Sequence, residues 1–148
     1  MSLLKKIGSD YIAAYKAKDK DRVSVLRMLK SELKNKQVET GNEPSDAEVL
    51  DLITKQVKQR KESIEQYSNA GREELAEQEA AEMALLKEYL PEALTQEELE
   101  KAIDDTIAEL GAEGMKDMGR VMGQITAAYK GRIDGKVASS LVRAKLNA

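Results

Sequence analysis

Residues 45–71 read SDAEVLDLITKQVKQRKESIEQYSNAG. Ser45 and Glu48 form an S-x-x-E capping box, in which each side chain satisfies a backbone N–H that the first helical turn leaves orphaned. Val49, Ile53, Val57, Ile64 and Tyr67 follow at helical rather than alternating spacing. Gly71 then offers the left-handed conformation that closes a helix without steric cost. The stretch predicts one long amphipathic helix, with Lys55, Lys58 and Lys61 and the neighbouring Arg60 on its solvent side.

The same logic extends in both directions. Upstream, a helix over about Ser2 to Lys16 would bury Leu4, Ile7, Tyr11 and Ala14. Asp19 is placed to cap a second helix with Val23, Leu26, Leu29 (or Lys30) and Leu33 inward, ended by Gly41. Downstream, a helix from about Glu73 to Tyr89 is anchored by Leu75, Met83, Leu86 and Leu90 and stopped by Pro91. Thr95 and Glu98 make a second capping box ahead of Leu99, Ile103, Ile107 and Leu110. Asp117 is placed to cap a sixth helix burying Met118, Val121, Met122, Ile125 and Tyr129, which Gly131 ends. Asp134 is placed to cap a seventh, with Val137, Leu141 and Val142 inward. The expectation is an all-α protein, with an N-terminal bundle of four helices over 1–91 and a smaller three-helix lobe over 92–148.

Composition narrows the chemistry. The 148 residues include no cysteine and no histidine, which removes disulfides, thiolate metal sites and the commonest general base. Five tyrosines are the only aromatic residues, so the core must be aliphatic and methionine-filled. No stretch has the apolar character of a signal peptide or a bilayer span, which points to the cytoplasm and to no membrane role. Ser31 and Lys34 match S-x-x-K, but inside a charged helix and without the companion motifs of serine acyl-enzymes. Ser139-Ser140 lacks the loop of an amidase serine pair. Glu73, Glu74 and Glu77 form a carboxylate cluster more in keeping with a solvated face than with a cation site. No phosphate-binding glycine motif occurs. No catalytic residue, metal or small-molecule cofactor is therefore expected.

Charge is unevenly spread. Residues 1–61 carry 14 basic and 9 acidic side chains, a net +5; residues 62–113 carry 3 and 16, a net −13; residues 114–148 carry 7 and 2, again +5. Within the last block, MGRVMGQITAAYKGRIDGK (118–136) holds four of the nine glycines. Gly119 and Gly123 share a helix face, where each costs about 1 kcal/mol relative to alanine. Close approach by another helix or by a ligand's phosphate backbone would offset that cost, and helix packing is the favoured reading. Gly131 and Gly135 frame a turn that presents Lys130, Arg132 and Lys136 beside the start of the seventh helix, an arrangement suited to an anion.

KDMGRVMG (116–123), KGRIDGK (130–136) and the final amphipathic helix resemble the YqeY family. KQRKESIEQYSNAGREELAEQEAAE (58–82) and LLKEYLPEALTQEEL (85–99) extend the likeness over almost the whole chain. These proteins are stand-alone relatives of the tail domain of GatB, a component of the glutamyl/aspartyl-tRNA amidotransferase. The resemblance implies a helical N-terminal lobe and a three-helix C-terminal lobe, the latter akin to the part of the amidotransferase that engages the tRNA body. Gly119, Gly123, Gly131, Arg132, Asp134 and Gly135 match the tail's pattern, whereas Ile133 replaces its usual small residue. The catalytic cradle is absent, so carbon–nitrogen ligase activity attaches to this chain only by family association. The functional expectation is a non-catalytic RNA-binding module, with tRNA as the RNA. Lys116, Arg120, Lys130, Arg132, Lys136, Arg143 and Lys145 would contact phosphates, assisted by Lys55, Lys58, Arg60 and Lys61. The alternative is a protein-interaction module that uses the acidic 62–113 stretch.

Overall fold

The computed structural model describes residues 2–147, which form seven α-helices, one 3-10 turn and no strand. The chain divides into two compact units, residues 1–90 and 91–148.

The first unit holds α1 (Leu3–Ala17), α2 (Lys20–Thr40), α3 (Asp46–Asn69) and α4 (Glu73–Lys87). Local signals set its boundaries. Ser2 caps α1, and Asp46 of α3 accepts from the Leu3 N–H at 2.9 Å, so a carboxylate from another helix satisfies one orphan donor. Asp19 caps α2, and Gly41 closes it in the left-handed region at φ +78°. The Ser45–Glu48 box is formed in both directions, at 3.2 Å each way. Ile7 of α1, Val25, Leu26, Leu29 and Leu33 of α2, Val49 and Ile53 of α3, Leu86 of α4 and Tyr89 make one buried cluster. The Tyr89 hydroxyl donates to Asp10 at 2.6 Å; burial first, then this carboxylate, pushes the phenol well above its ordinary pKa.

Several details differ from the sequence reading. Val25 rather than Val23 is buried on α2, and Leu75 stays 42% exposed on α4, where Ala76 faces inward. On α3 the buried face continues from Ile53 to Gln56 and Arg60, not to Ile64 and Tyr67. Those four inward positions, 49, 53, 56 and 60, follow the helical period without a break. Arg60 is tolerated inside because its guanidinium bonds Glu79, at 3.1 Å, and Glu82, both on α4. Buried charge survives only when paired in this way.

The second unit contains α5 (Gln96–Leu110), the 3-10 turn Met115–Asp117, α6 (Met118–Ala128) and α7 (Gly135–Leu146). The Thr95–Glu98 box opens α5 as expected. Leu99, Ala102 and Ile103 of α5 meet Val121 and Ile125 of α6 and Ala138, Val142 and Leu146 of α7 in a wholly aliphatic core, with Tyr129 packed at its edge. Ala138 takes the inward place expected of Val137, which is 45% exposed. Asp117 does not cap α6. Its carboxylate instead accepts from the Glu113 N–H at 2.9 Å and pairs with Arg120 at 3.1 Å, bracing the loop before the helix. These contacts, the backbone one foremost, hold Asp117 below its ordinary pKa.

Candidate nucleic-acid interface

The turn between α6 and α7 is built from the backbone outward. Gly131 sits at φ +76°, a conformation that L side chains rarely adopt. The Arg132 N–H donates to the Tyr129 carbonyl at 2.9 Å. Arg132 then faces back along the unit: its carbonyl accepts from the Leu94 N–H at 2.8 Å, and its Nε donates to the Glu92 carbonyl at 2.9 Å. Arg132 is therefore a clasp holding residues 92–94 to the turn. Asp134 accepts from the N–H groups of Lys136, at 2.8 Å, and Val137, at 3.5 Å. The start of α7, expected to offer free N–H groups to an anion, already carries this carboxylate.

The seven cations expected at phosphates fall into two sets. Lys116, Lys130, Lys136 and Arg143 have exposed side chains, and Arg120 is also exposed although it pairs with Asp117 and donates to the Leu110 carbonyl at 3.3 Å. Arg132 is committed to the clasp, and Lys145 pairs with Asp104 of α5 at 2.8 Å. In the first unit Lys55, Lys58 and Lys61 are exposed on α3, whereas Arg60 is buried and is withdrawn as a phosphate contact.

Gly119 and Gly123 lie exposed on α6, and a Cβ built at either meets no atom within 4 Å. Close helix packing, the favoured expectation, is thus not their role within this chain. The same holds for Gly135, the first residue of α7. Gly119 and Gly123, four residues apart, share one side of α6, with Arg120 between them in sequence, Lys116 in the turn before the helix and Lys130 just after it. A smooth, weakly protruding surface bordered by cations can admit a bulky anionic backbone closely.

No group of three or more acidic side chains among the described residues is arranged to hold a metal ion, and Glu73, Glu74 and Glu77 are exposed along α4. No helix among them is long and apolar enough to cross a membrane. One feature escaped the sequence reading. An open groove of about 520 Å³ runs between α1 and α2, and three of its lining residues are the cations Arg27, Lys30 and Lys34. Their i, i+3, i+7 spacing was the available signal.

An all-helical protein of two small units, whose second presents glycine-smoothed backbone and a basic turn, is the class these features define. The family model described as Yqey-like protein matches residues 4–146, and the chain belongs to the YqeY family. Its relatives include fungal proteins named Altered inheritance of mitochondria protein 41, mitochondrial. The one from Lachancea thermotolerans is 35% identical over 139 residues, covering 93% of this chain and 72% of its own length. That from Pyrenophora tritici-repentis is 29% identical over 144 residues, covering 95% and 79%. That from Saccharomyces cerevisiae is 28% identical over 131 residues, covering 84% and 69%.

Proposed function

We propose that the second unit binds structured RNA, tRNA in particular, through the exposed face of α6 and the basic turn that follows it, and that the chain acts as an accessory module without chemistry of its own. The observation that carries this reading is the open space over Gly119 and Gly123. Each glycine costs its helix about 1 kcal/mol, and no contact within the chain offsets that cost. A ligand that must come close to the helix backbone would. The cations near these glycines suit phosphates, and scarce aromatics suit recognition by shape rather than by base stacking. The likeness to the amidotransferase tail supplies tRNA as the RNA.

The experiment is a filter-binding titration with bulk tRNA across a salt series. The unmodified chain should bind at low salt and weaken steeply as salt rises. Gly119→Leu with Gly123→Leu should reduce affinity about tenfold or more while the helix content is kept. Lys116→Ala, Lys136→Ala and Arg143→Ala should each lower the salt slope by about 1. Absence of any tRNA complex at low salt would end this proposal.

A second reading, a protein-interaction module, draws on α4. Leu75 is 42% exposed among the exposed Glu73, Glu74 and Glu77, an apolar anchor inside an acidic ridge. Charge reversal at the three glutamates should abolish a partner that co-purifies after nuclease treatment and should leave tRNA binding unchanged.

A further inference from the structure

We infer that Met28 is a reversible oxidation site whose sulfoxide is held by Arg60, so that a hydroperoxide tightens the contact between α2 and α3. The Arg60 guanidinium is divided among its neighbours. Its Nη1 carries both glutamates of α4, Glu79 at 3.1 Å and Glu82 beside it. Its Nη2 donates to the Met28 sulfur at 3.6 Å. Its Nε is buried and has no partner among the described residues, and neither polar atom of the Gln56 side chain has one. Gln56 lies one turn before Arg60 on the same buried face of α3. Buried donors normally find an acceptor, and a thioether sulfur is a weak one. The guanidinium therefore meets α2 with donor capacity that the thioether does not fill.

Met28 is also open to the reagent. It is 53% exposed, and with Glu32, Gln56, Gln59, Arg60 and Ser63 it lines an open cleft of about 130 Å³, ample for hydrogen peroxide. A sulfur lone pair attacks one peroxide oxygen, and the S–O bond forms as the O–O bond breaks. The second oxygen takes the proton that the first gives up and leaves as water, so sulfur is oxidised, the peroxide is reduced and nothing else is consumed. The product carries a polar oxygen where the thioether had only a weak acceptor. Rotation of the flexible side chain brings that oxygen onto Nη2, the donor already in contact with the sulfur. Hydrogen bonds from a charged donor are about twice as strong as neutral ones, so the exchange strengthens the α2–α3 contact. In a core, sulfoxide formation disrupts packing, but the exposed Met28 side chain escapes most of that cost. Glu79 and Glu82 keep Nη1, so the contact between α3 and α4 is not spent in the exchange.

The test treats two variants of the full chain, Met115→Leu and Met28→Leu, with limiting hydrogen peroxide. Met115 is 42% exposed and so also open to oxidation, whereas Met83, Met118 and Met122 are half-buried. In Met115→Leu, peptide mass mapping should find Met28 modified ahead of those three. Urea unfolding followed by circular dichroism should then show the midpoint of oxidised Met115→Leu raised by roughly 0.5 M over its reduced form. Oxidised Met28→Leu should show no such rise. Methionine sulfoxide reductases A and B together, one for each sulfoxide epimer, should return the raised midpoint to its starting value. Arginine side-chain NMR adds a readout that altered packing alone would not move. The Arg60 guanidinium resonances should shift on oxidation of Met28, and their exchange with water should slow. Oxidation of the half-buried methionines before Met28, or a midpoint unchanged or lowered by the Met28 sulfoxide, would overturn the inference. So would an equal rise in Met28→Leu, or Arg60 resonances that stay in place.

Discussion

Replacing Arg60 with methionine separates the electrostatics of the α3–α4 contact from its packing. Methionine keeps most of the apolar stem, so the loss reports on the missing guanidinium rather than on a cavity. The Arg60 side chain is 10% exposed and its partners Glu79 and Glu82 are 24% and 16% exposed, so Arg60→Met strands two carboxylates in a largely dry setting. Removing one member of a buried pair costs about 3–5 kcal/mol. Water still reaches both glutamates, which places the expected loss near the lower end, about 3 kcal/mol. That is a large share of the roughly 5–15 kcal/mol by which proteins are stable. Adding Glu79→Gln and Glu82→Gln to Arg60→Met removes the stranded charges and should recover the stability to within about 1 kcal/mol of the parent. Urea unfolding followed by circular dichroism, with linear extrapolation, measures all three proteins. A loss below about 1 kcal/mol in the single variant, or a triple variant no better than the single, would refute charge compensation as the reason Arg60 is inside.

Glu48 and Glu98 are held below the ordinary carboxylate pKa, chiefly by the backbone N–H of Ser45 and of Thr95. Their stabilisation is complete above the unfolded value of about 4.5 and is lost as pH falls below it, so Glu48→Gln/Glu98→Gln should melt like the parent at pH 7 but lose stability less steeply from pH 5 to 3. Tyr89 runs the other way. With its pKa raised, its contribution is complete below pH 10 and fades as pH climbs through the higher folded value, so Tyr89→Phe should show a shallower alkaline decline in thermal melts. At neutral pH that substitution also loses a charge-assisted hydrogen bond worth roughly 1.5–3 kcal/mol. Gly131→Ala, forced into the left-handed region, should cost about 1–2 kcal/mol and lower the melting temperature of the second unit by several degrees in calorimetry.

Helix boundaries were legible because they are written locally. Asp19, Gly41, the Ser45–Glu48 and Thr95–Glu98 boxes and Asp134 act on N–H and carbonyl groups within four residues, and each does what its spacing predicts. Asp117 failed because two candidate donors lay in reach, and the loop N–H of Glu113 took the carboxylate. Arg60 was misplaced for a different reason. A reading that sorts residues by polarity sends arginine to solvent, although positions 49, 53, 56 and 60 keep the period and α4 supplies Glu79 and Glu82 as partners. The chemistry of the basic lobe was legible as a set of cations. Which of them are spent on structure was not, because the clasp of Arg132 on Glu92 and the Lys145–Asp104 pair join residues 40 or more apart. The empty space over Gly119 and Gly123 is likewise a fact about neighbours, which no local pattern records.

The lone aromatic ring at the edge of the second core has an optical consequence. Tyr129 is the only tyrosine beyond Leu90, and the chain has no tryptophan. Tyr11, Tyr15, Tyr67 and Tyr89 all belong to the first unit. A Tyr129→Phe protein therefore emits from the first unit alone, and a protein with the other four tyrosines changed to phenylalanine emits from the second alone. The chain carries its own pair of unit-specific dyes. Coincident or separated transitions in the two proteins would show directly whether the halves melt together, with no label attached.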